Sequence, residues 1–404
     1  MHQSSKRFPC EFFALALILT AAFCNVSVFY SFYHYLGAID VPVAWRGFLV
    51  GLEPMAAFIL RLFVLPWLHL RNALFVMTAS LLLLIGVSCS YMWVVTVPAL
   101  IVVRIVHGAA FVLLTSGAIA VVVNFIPAEK SGWGFSMLSV ATMIPYAVIP
   151  PLAEALLPYV RNEADIYAGV SIFALVALLL LAALRGRIGK ALRGMDGVLL
   201  RRFTRAEIRE NFRLRAVGLL LGAGFLTYLA HATLFYFMKD LSLLTGGGKV
   251  GLFFTLSMVT MIAVRALGGA MFDKMDKPFL LRTGLALLIP CLIALPHAET
   301  QAAFYLLAGV YGLCMGVILP LLNALLFSAS APSLRGLNTN LNLFTLDMAY
   351  FLIPYFGGVL IAFGAEFDIL FYGAAGWTTL ALALTMRYTD KRNPLETRKE
   401  WRDE

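Results

Sequence analysis

Charge is what this sequence has least of. Only 13% of its 404 residues are Asp, Glu, Lys or Arg, while 61% are hydrophobic, and a soluble domain carries roughly 25% charge. A membrane is therefore its solvent. Cysteine is nearly as scarce: Cys10, Cys24, Cys89, Cys291 and Cys314 are odd in number and scattered, mostly within apolar runs. That pattern excludes a disulfide framework and any metal-ligand spacing. No Walker-type phosphate loop is present, so the chain encodes no nucleotide-driven step of its own. Paired aspartates, a metal-binding histidine set and a nucleophile with a base are also missing, which weighs against an enzyme acting on lipids or isoprenoids. No charged ring or filter-like loop suggests a channel, and no large extramembrane segment suggests a sensor. No cofactor is expected.

What is there is a series of long apolar runs. Twelve of them, at approximately 10–36, 45–68, 72–90, 95–125, 131–157, 165–185, 214–238, 249–272, 278–296, 301–328, 336–363 and 367–387, are long enough to cross a hydrocarbon core about 30 Å thick. They lack the period-two alternation of barrel strands, and a lipid-exposed backbone must satisfy its own hydrogen bonds, so each reads as a helix. Although Lys6 and Arg7 precede the first run, it continues well past the length of a cleaved signal and is expected to be retained.

A shift of 204 positions without gaps superposes Arg265 on Arg61, Gly251 on Gly47, Gly312 on Gly108, Gly336 on Gly132 and Pro354 on Pro150. So many helix-breaking residues in one register mark an internal repeat. The expected fold is an all-α integral membrane protein, twelve transmembrane helices in two six-helix pseudo-symmetric bundles. The expected division is an N-terminal half at 1–185, a basic linker at 186–213, a C-terminal half at 214–388 and a tail at 389–404. Within the linker, Thr204 and Glu207 form a capping-box pattern ahead of Ile208 and Phe212, which predicts a short helix on the membrane surface.

The net charge of +9 invites a nucleic-acid reading, but the location of the basic residues decides against one. Most Lys and Arg fall in segments on the side of the N-terminus, and few, such as Arg46, Arg161, Lys239 and Lys249, fall opposite. This positive-inside bias predicts a multi-pass protein of the plasma (inner) membrane with both termini cytoplasmic. The partners of the basic charge are then anionic lipid headgroups.

Ionisable and polar groups inside the runs are candidates for function, because each is costly in hydrocarbon. Glu53, just before Pro54, and Arg104 sit at matching depth and are expected to pair. His107 lies one turn beyond Arg104. Asp347 has no acidic counterpart, since Met143 occupies the equivalent place in the first half, and a buried acid that breaks the repeat is a candidate coupling group. Candidates for a substrate cavity are Asn25, Tyr30, Tyr228, His231 and Tyr350, although Asn25 serves equally as a bond between helices and His231 as a packing residue. Phe29, Tyr30, Phe32, Tyr33, His34 and Tyr35 together suit an aromatic belt at the membrane interface.

In the stretch RALGGAMFDKMDK, Gly269, Asp273 and Lys274 give the pattern glycine, three residues, aspartate, basic residue. Arg104, His107 and Gly108 give Arg, two residues, a polar residue and Gly, and Pro354 with Gly357 and Gly358 gives a proline ahead of a glycine pair. These motifs resemble those of the major facilitator superfamily of secondary transporters, and among them the prokaryotic drug and arabinose-efflux permeases. The resemblance spans essentially the whole chain, although the first-half loop has Leu65 and His69 where the pattern asks for Gly and Asp. It implies a small-molecule transporter working by alternating access, with a cavity lined by spans 1, 4, 7 and 10. Proton coupling through Arg104 with Glu53 or Asp347 is expected, and efflux is favoured over uptake. Arg265, Gly269, Asp273 and Lys274 are expected to form a gate, with Asp273 accepting hydrogen bonds from the start of span 5 near 131–133. His69 cannot play that part, so unequal latches are expected in the two halves.

Overall fold

The structure is a computed structural model that describes residues 9–63, 69–126, 131–192, 204, 209, 211–330 and 334–388, without the side chains of 131–133, 135, 268–274 and 336. Among the described residues, twelve helices are long and apolar enough to cross a membrane. They are α1 (Cys10–Ala38), α2 (Val43–Phe63), α3 (Leu70–Ser90), α4 (Val97–Val122), α5 (Ser131–Leu156), α6 (Glu163–Ala191), α7 (Arg215–Thr245), α8 (Val250–Lys274), α9 (Lys277–Ala294), α10 (Gln301–Ala329), α11 (Arg335–Ala362) and α12 (Phe367–Met386). No strand occurs among the described residues.

Local chemistry sets several boundaries. Asn162 caps α6 by accepting from the Ala164 amide at 3.0 Å, and the Thr300 hydroxyl accepts from Ala303 at the start of α10. Both satisfy amides that a helix start leaves without partners. Gly246, at φ +69°, stops α7 in the left-handed conformation that glycine adopts without strain. Helix α6 runs six residues past the expected end at 185, to Ala191. Most of the expected surface helix around Glu207 and Ile208 lies outside the described residues, as do residues 64–68 at the end of span 2.

An even number of crossings returns the chain to the side it started from, here called proximal; the opposite side is distal. Helices α1 to α6 pack around α1·α4, α1·α5, α1·α6, α3·α4, α3·α6 and α2·α4, and α7 to α12 repeat the pattern with α7·α10, α7·α11, α7·α12, α8·α10 and α9·α12. Two long seams, α2·α11 and α5·α8, join the bundles.

The glycines of the repeat lie where helices approach most closely. A methyl group on Gly47 of α2 would enter the Pro354 carbonyl and Gly358 of α11, and one on Gly251 of α8 would enter Pro151 of α5. These two contacts are related by the repeat, and both seal the distal ends of the seams. Within each bundle, Gly108 meets the Glu53 carbonyl and Gly312 meets the Ser257 carbonyl, again at positions 204 apart. Small residues allow helix axes to approach in a membrane, where packing rather than hydrophobicity drives association.

Helix α1 contains a 3₁₀ turn at Val28–Ser31. In it and beyond it the aromatic residues are not an interface belt: Phe29, Tyr30, Phe32, Tyr33 and Tyr35 are all buried. Phe29 stacks on Tyr167 at 4.4 Å, Tyr33 meets Phe237 of α7 at 5.1 Å, and only His34 is partly exposed. The tightened turn directs these rings into the protein instead of toward the headgroups.

Candidate functional site

The first polar constellation is built on a proline. Pro54 has no amide hydrogen, so the carbonyl four residues earlier, that of Val50, loses its helical donor. Arg104 of α4 replaces it: Nη2 donates to Val50 O at 2.8 Å and Nε to Leu49 O at 3.0 Å. The same Nη2 lies 3.6 Å from Glu53 Oε2, and the guanidinium sits over the rings of Phe32 and Phe29 at 4.6 and 5.2 Å. Gly108 lets α2 come close enough for this reach. Arg104 is only 1% exposed, so these contacts replace its hydration.

From Arg104 a directed chain of hydrogen bonds crosses three helices. Nη1 donates to Tyr91 OH at 3.5 Å, and Tyr91 OH donates to His107 Nδ1 at 3.3 Å. His107 Nε2 then donates to Asn25 Oδ1 at 2.5 Å, and Asn25 Nδ2 donates to Ser88 Oγ at 2.7 Å. This ordering requires a neutral imidazole with its hydrogen on Nε2. Asn25 is therefore a buried bond between helices and lines no described cavity. Replacing it with Ala should cost about 1–3 kcal/mol by leaving His107 and Ser88 short of partners. A lowered melting temperature with unchanged KM for a transported solute is expected; a changed KM at unchanged stability would return Asn25 to the cavity.

The second constellation lies on the seams. Arg61 Nε of α2 donates to Asp347 Oδ2 of α11 at 2.8 Å, so Asp347 pairs with Arg61 and not with Arg104. On the other seam, Arg265 of α8 takes the place related by the repeat, with Met143 of α5 where Asp347 would be. Arg265 Nη1 donates to Ser139 Oγ at 2.8 Å and to Met143 Sδ at 3.2 Å. Its Nη2 reaches only Met261 Sδ at 3.8 Å, and its Nε is buried without a partner. The surroundings of Gly269, the side chains of Asp273 and Lys274, and the contact expected from Asp273 to 131–133 lie outside what is described. His69 is exposed at the start of α3.

The second-half candidates form a polar aromatic cluster. His231 Nδ1 is hydrogen-bonded to Tyr311 OH, and its ring stacks on Tyr311 and tilts against Tyr350 at 6.0 Å. Tyr228 OH accepts from Asn342 Nδ2 at 3.2 Å, which also donates to Asn323 Oδ1 at 2.9 Å. Tyr350 packs on Tyr236 and Phe235. Tyr30 meets Phe254 across the seam and borders a small distal pocket with Glu154, Tyr167 and Lys239. Two further pairs, Lys239 Nζ to Glu154 Oε1 at 3.4 Å and His34 Nδ1 to Asp240 Oδ1 at 3.2 Å, hold α7 to α5 and to α1 at the distal end.

A cavity of about 980 Å³ lies between the bundles on the proximal side. Its walls come from α1, α5, α8 and α10, with Thr20, Ser136, Ser139, Arg265 and Asn323 as the polar groups and Phe13, Leu17 and Ile144 among the apolar ones. Spans 4 and 7 do not line it, contrary to the expected set of 1, 4, 7 and 10. Arg104 and His107 of α4 are engaged inside their own bundle, and the His231 face of α7 is closed by Tyr311 and Tyr350.

A family model described as Major Facilitator Superfamily matches residues 12–301 and 220–403. The chain belongs to this superfamily. Among solved structures, a crystal structure of the peptide transporter POT in complex with sulfate is similar at a TM-score of 0.71, with 13% identity over 94% of this chain and 94% of that one. No curated protein matches the sequence. The superfamily and its fold make this a multi-pass membrane protein of the transporter type, for which a small-molecule substrate is implied and an enzyme reading is not.

Within the superfamily's two-bundle frame, sequence reasoning placed Glu53 opposite Arg104 but missed the partners of Arg61 and Arg265. The signal was present. An arginine kept in both repeats, with an acid facing only one of them, marks two related seams with different chemistry.

Proposed function

We propose that the protein is a proton-coupled secondary transporter that exports a small organic solute by alternating access. The observation that carries this reading is the Arg61–Asp347 pair, an ion pair joining the two bundles along the α2·α11 seam, together with a cavity between the bundles on the proximal side, at the α5·α8 seam, while the distal seams are sealed. The positive-inside bias supports a cytoplasmic placement of the proximal side in a plasma (inner) membrane. The cavity then loads from the cytoplasm, and the loop motif shared with efflux permeases supports export.

In this mechanism, protonated Asp347 no longer attracts Arg61, and the α2·α11 seam loses the contact that favours one arrangement of the bundles. A coupling group needs only to interact differently with the two arrangements, since a ligand or proton shifts an equilibrium by its differential affinity. Glu53 with Arg104 is the second carboxylate of the set, placed inside the first bundle, where it holds α2 against α4.

The test is gradient-driven flux in liposomes containing purified protein, with an imposed pH difference and a panel of small organic solutes. The wild type is expected to dissipate the gradient when a transported solute is added. Asp347→Asn should lose gradient-driven accumulation by tenfold or more while still exchanging labelled for unlabelled solute. Unchanged gradient-driven flux in the Asp347→Asn, Glu53→Gln double variant would overturn the assignment.

A further inference from the structure

Two arginines occupy equivalent places on the two seams, yet among the described residues only one has a counter-ion. Arg61 meets Asp347 at 2.8 Å. Arg265 meets a serine hydroxyl and two thioethers, which are weak acceptors, and no carboxylate pairs with it among the described residues. A guanidinium at membrane depth without an anion is costly. It also faces the cavity of about 980 Å³ between the bundles.

We propose that Arg265 is the recognition group for a carboxylate of the substrate, which enters the cavity and occupies the position that Asp347 fills on the other seam. The proposal rests on the transport reading above and names the substrate class: a small organic acid with an apolar body. Arginine suits the role because its planar fork binds a carboxylate through two parallel hydrogen bonds, and Nε and Nη2 are the two donors not engaged by Ser139. Neighbouring groups extend the match. Ser139 and Ser136 offer hydroxyls on α5, and Asn323 spends Oδ1 on Asn342, leaving its Nδ2 without a partner among the described residues. These groups can all donate, and no acidic side chain lines the cavity. Phe13, Leu17 and Ile144 supply apolar surface for the rest of the molecule. The sequence carries the reason for the asymmetry: the repeat keeps the arginine twice but the acid once, so the protein supplies the anion at one seam and the substrate supplies it at the other.

The experiment uses the purified full-length protein and reads thermal stability, because a ligand that binds the native state raises the apparent melting temperature. The probes are benzoate and hexanoate, each against its neutral amide and its amine. A rise of several degrees with the carboxylates alone is expected. Arg265→Gln should weaken that binding at least tenfold, while Arg265→Lys retains part of it. Met143→Asp supplies the missing anion from the chain itself. It should raise the melting temperature of the ligand-free protein, which Met143→Asn should not, and it should abolish the response to benzoate. Absence of any carboxylate-specific shift, or a shift that survives Arg265→Gln, overturns the proposal. Flux of solutes in liposomes separates it from the transport reading. Flux indifferent to Arg265→Gln removes the site and keeps transport, whereas Arg265-dependent carboxylate binding without flux keeps the site and removes transport.

Discussion

Arg104→Ala should destabilise the protein by about 3–5 kcal/mol, the cost typical of removing one partner from a buried charged network. The change leaves the carbonyls of Leu49 and Val50, the carboxyl of Glu53 and the hydroxyl of Tyr91 without their shared donor, and it empties a fully buried volume between Phe29 and Phe32. Arg104→Lys should recover only part of the loss, because an ammonium cannot span two successive carbonyls and a carboxylate as a planar fork does. Glu53→Gln should be milder than either, since the arginine keeps both carbonyls and both ring faces. The melting temperature of the detergent-solubilised protein ranks the three. An Arg104→Ala variant that melts with the wild type would show that the network contributes nothing.

The second large effect is expected at Gly47. A valine there cannot be accommodated by a side-chain adjustment, because the obstacles are the Pro354 carbonyl and the backbone of Gly358. The distal end of the α2·α11 seam must open, and the bundles should favour the arrangement in which the distal side is parted. Cysteine labelling at Phe351, one turn from the contact and against Gly51, should rise at least tenfold in the Gly47→Val background, with transport falling correspondingly. Gly86→Val is the control, since nothing lies within 4 Å of a methyl group at that glycine. Equal labelling in the two backgrounds would mean that the seam does not gate the distal side.

Much of this was legible from residue order. Run length and the lack of strand alternation gave the twelve helices, because only one kind of element satisfies the backbone in lipid. The 204-residue register predicted which glycines would recur at helix crossings, and matching depth paired Glu53 with Arg104. Contacts that depend on helix rotation were not legible. Whether Asn25 faces a cavity or His107 is decided by the azimuth of α1, which an all-round apolar helix does not encode in its periodicity. The pairing of Asp347 with Arg61 depends on which helices form the seams, and that is a property of the assembled bundles. The resemblance to the superfamily implied a cavity lined by spans 1, 4, 7 and 10, whereas the cavity found is framed by α1, α5, α8 and α10.

The 3₁₀ turn in α1 has a mechanical consequence. An α-helix advances about 100° per residue and a 3₁₀-helix about 120°, so four residues in the tighter form rotate everything beyond them by about 80°. That rotation lets the last third of α1 face two ways: Phe32 and Tyr35 stay against Tyr167 of α6, while Tyr33 meets Phe237 and His34 meets Asp240 of α7. One helix is thus anchored in its own bundle along its whole length and also touches the other bundle at its tip. Under the alternating-access reading, any relative movement of the bundles must be taken up at these few contacts of the α1 tip with α7, because the rest of α1 is held by its own bundle.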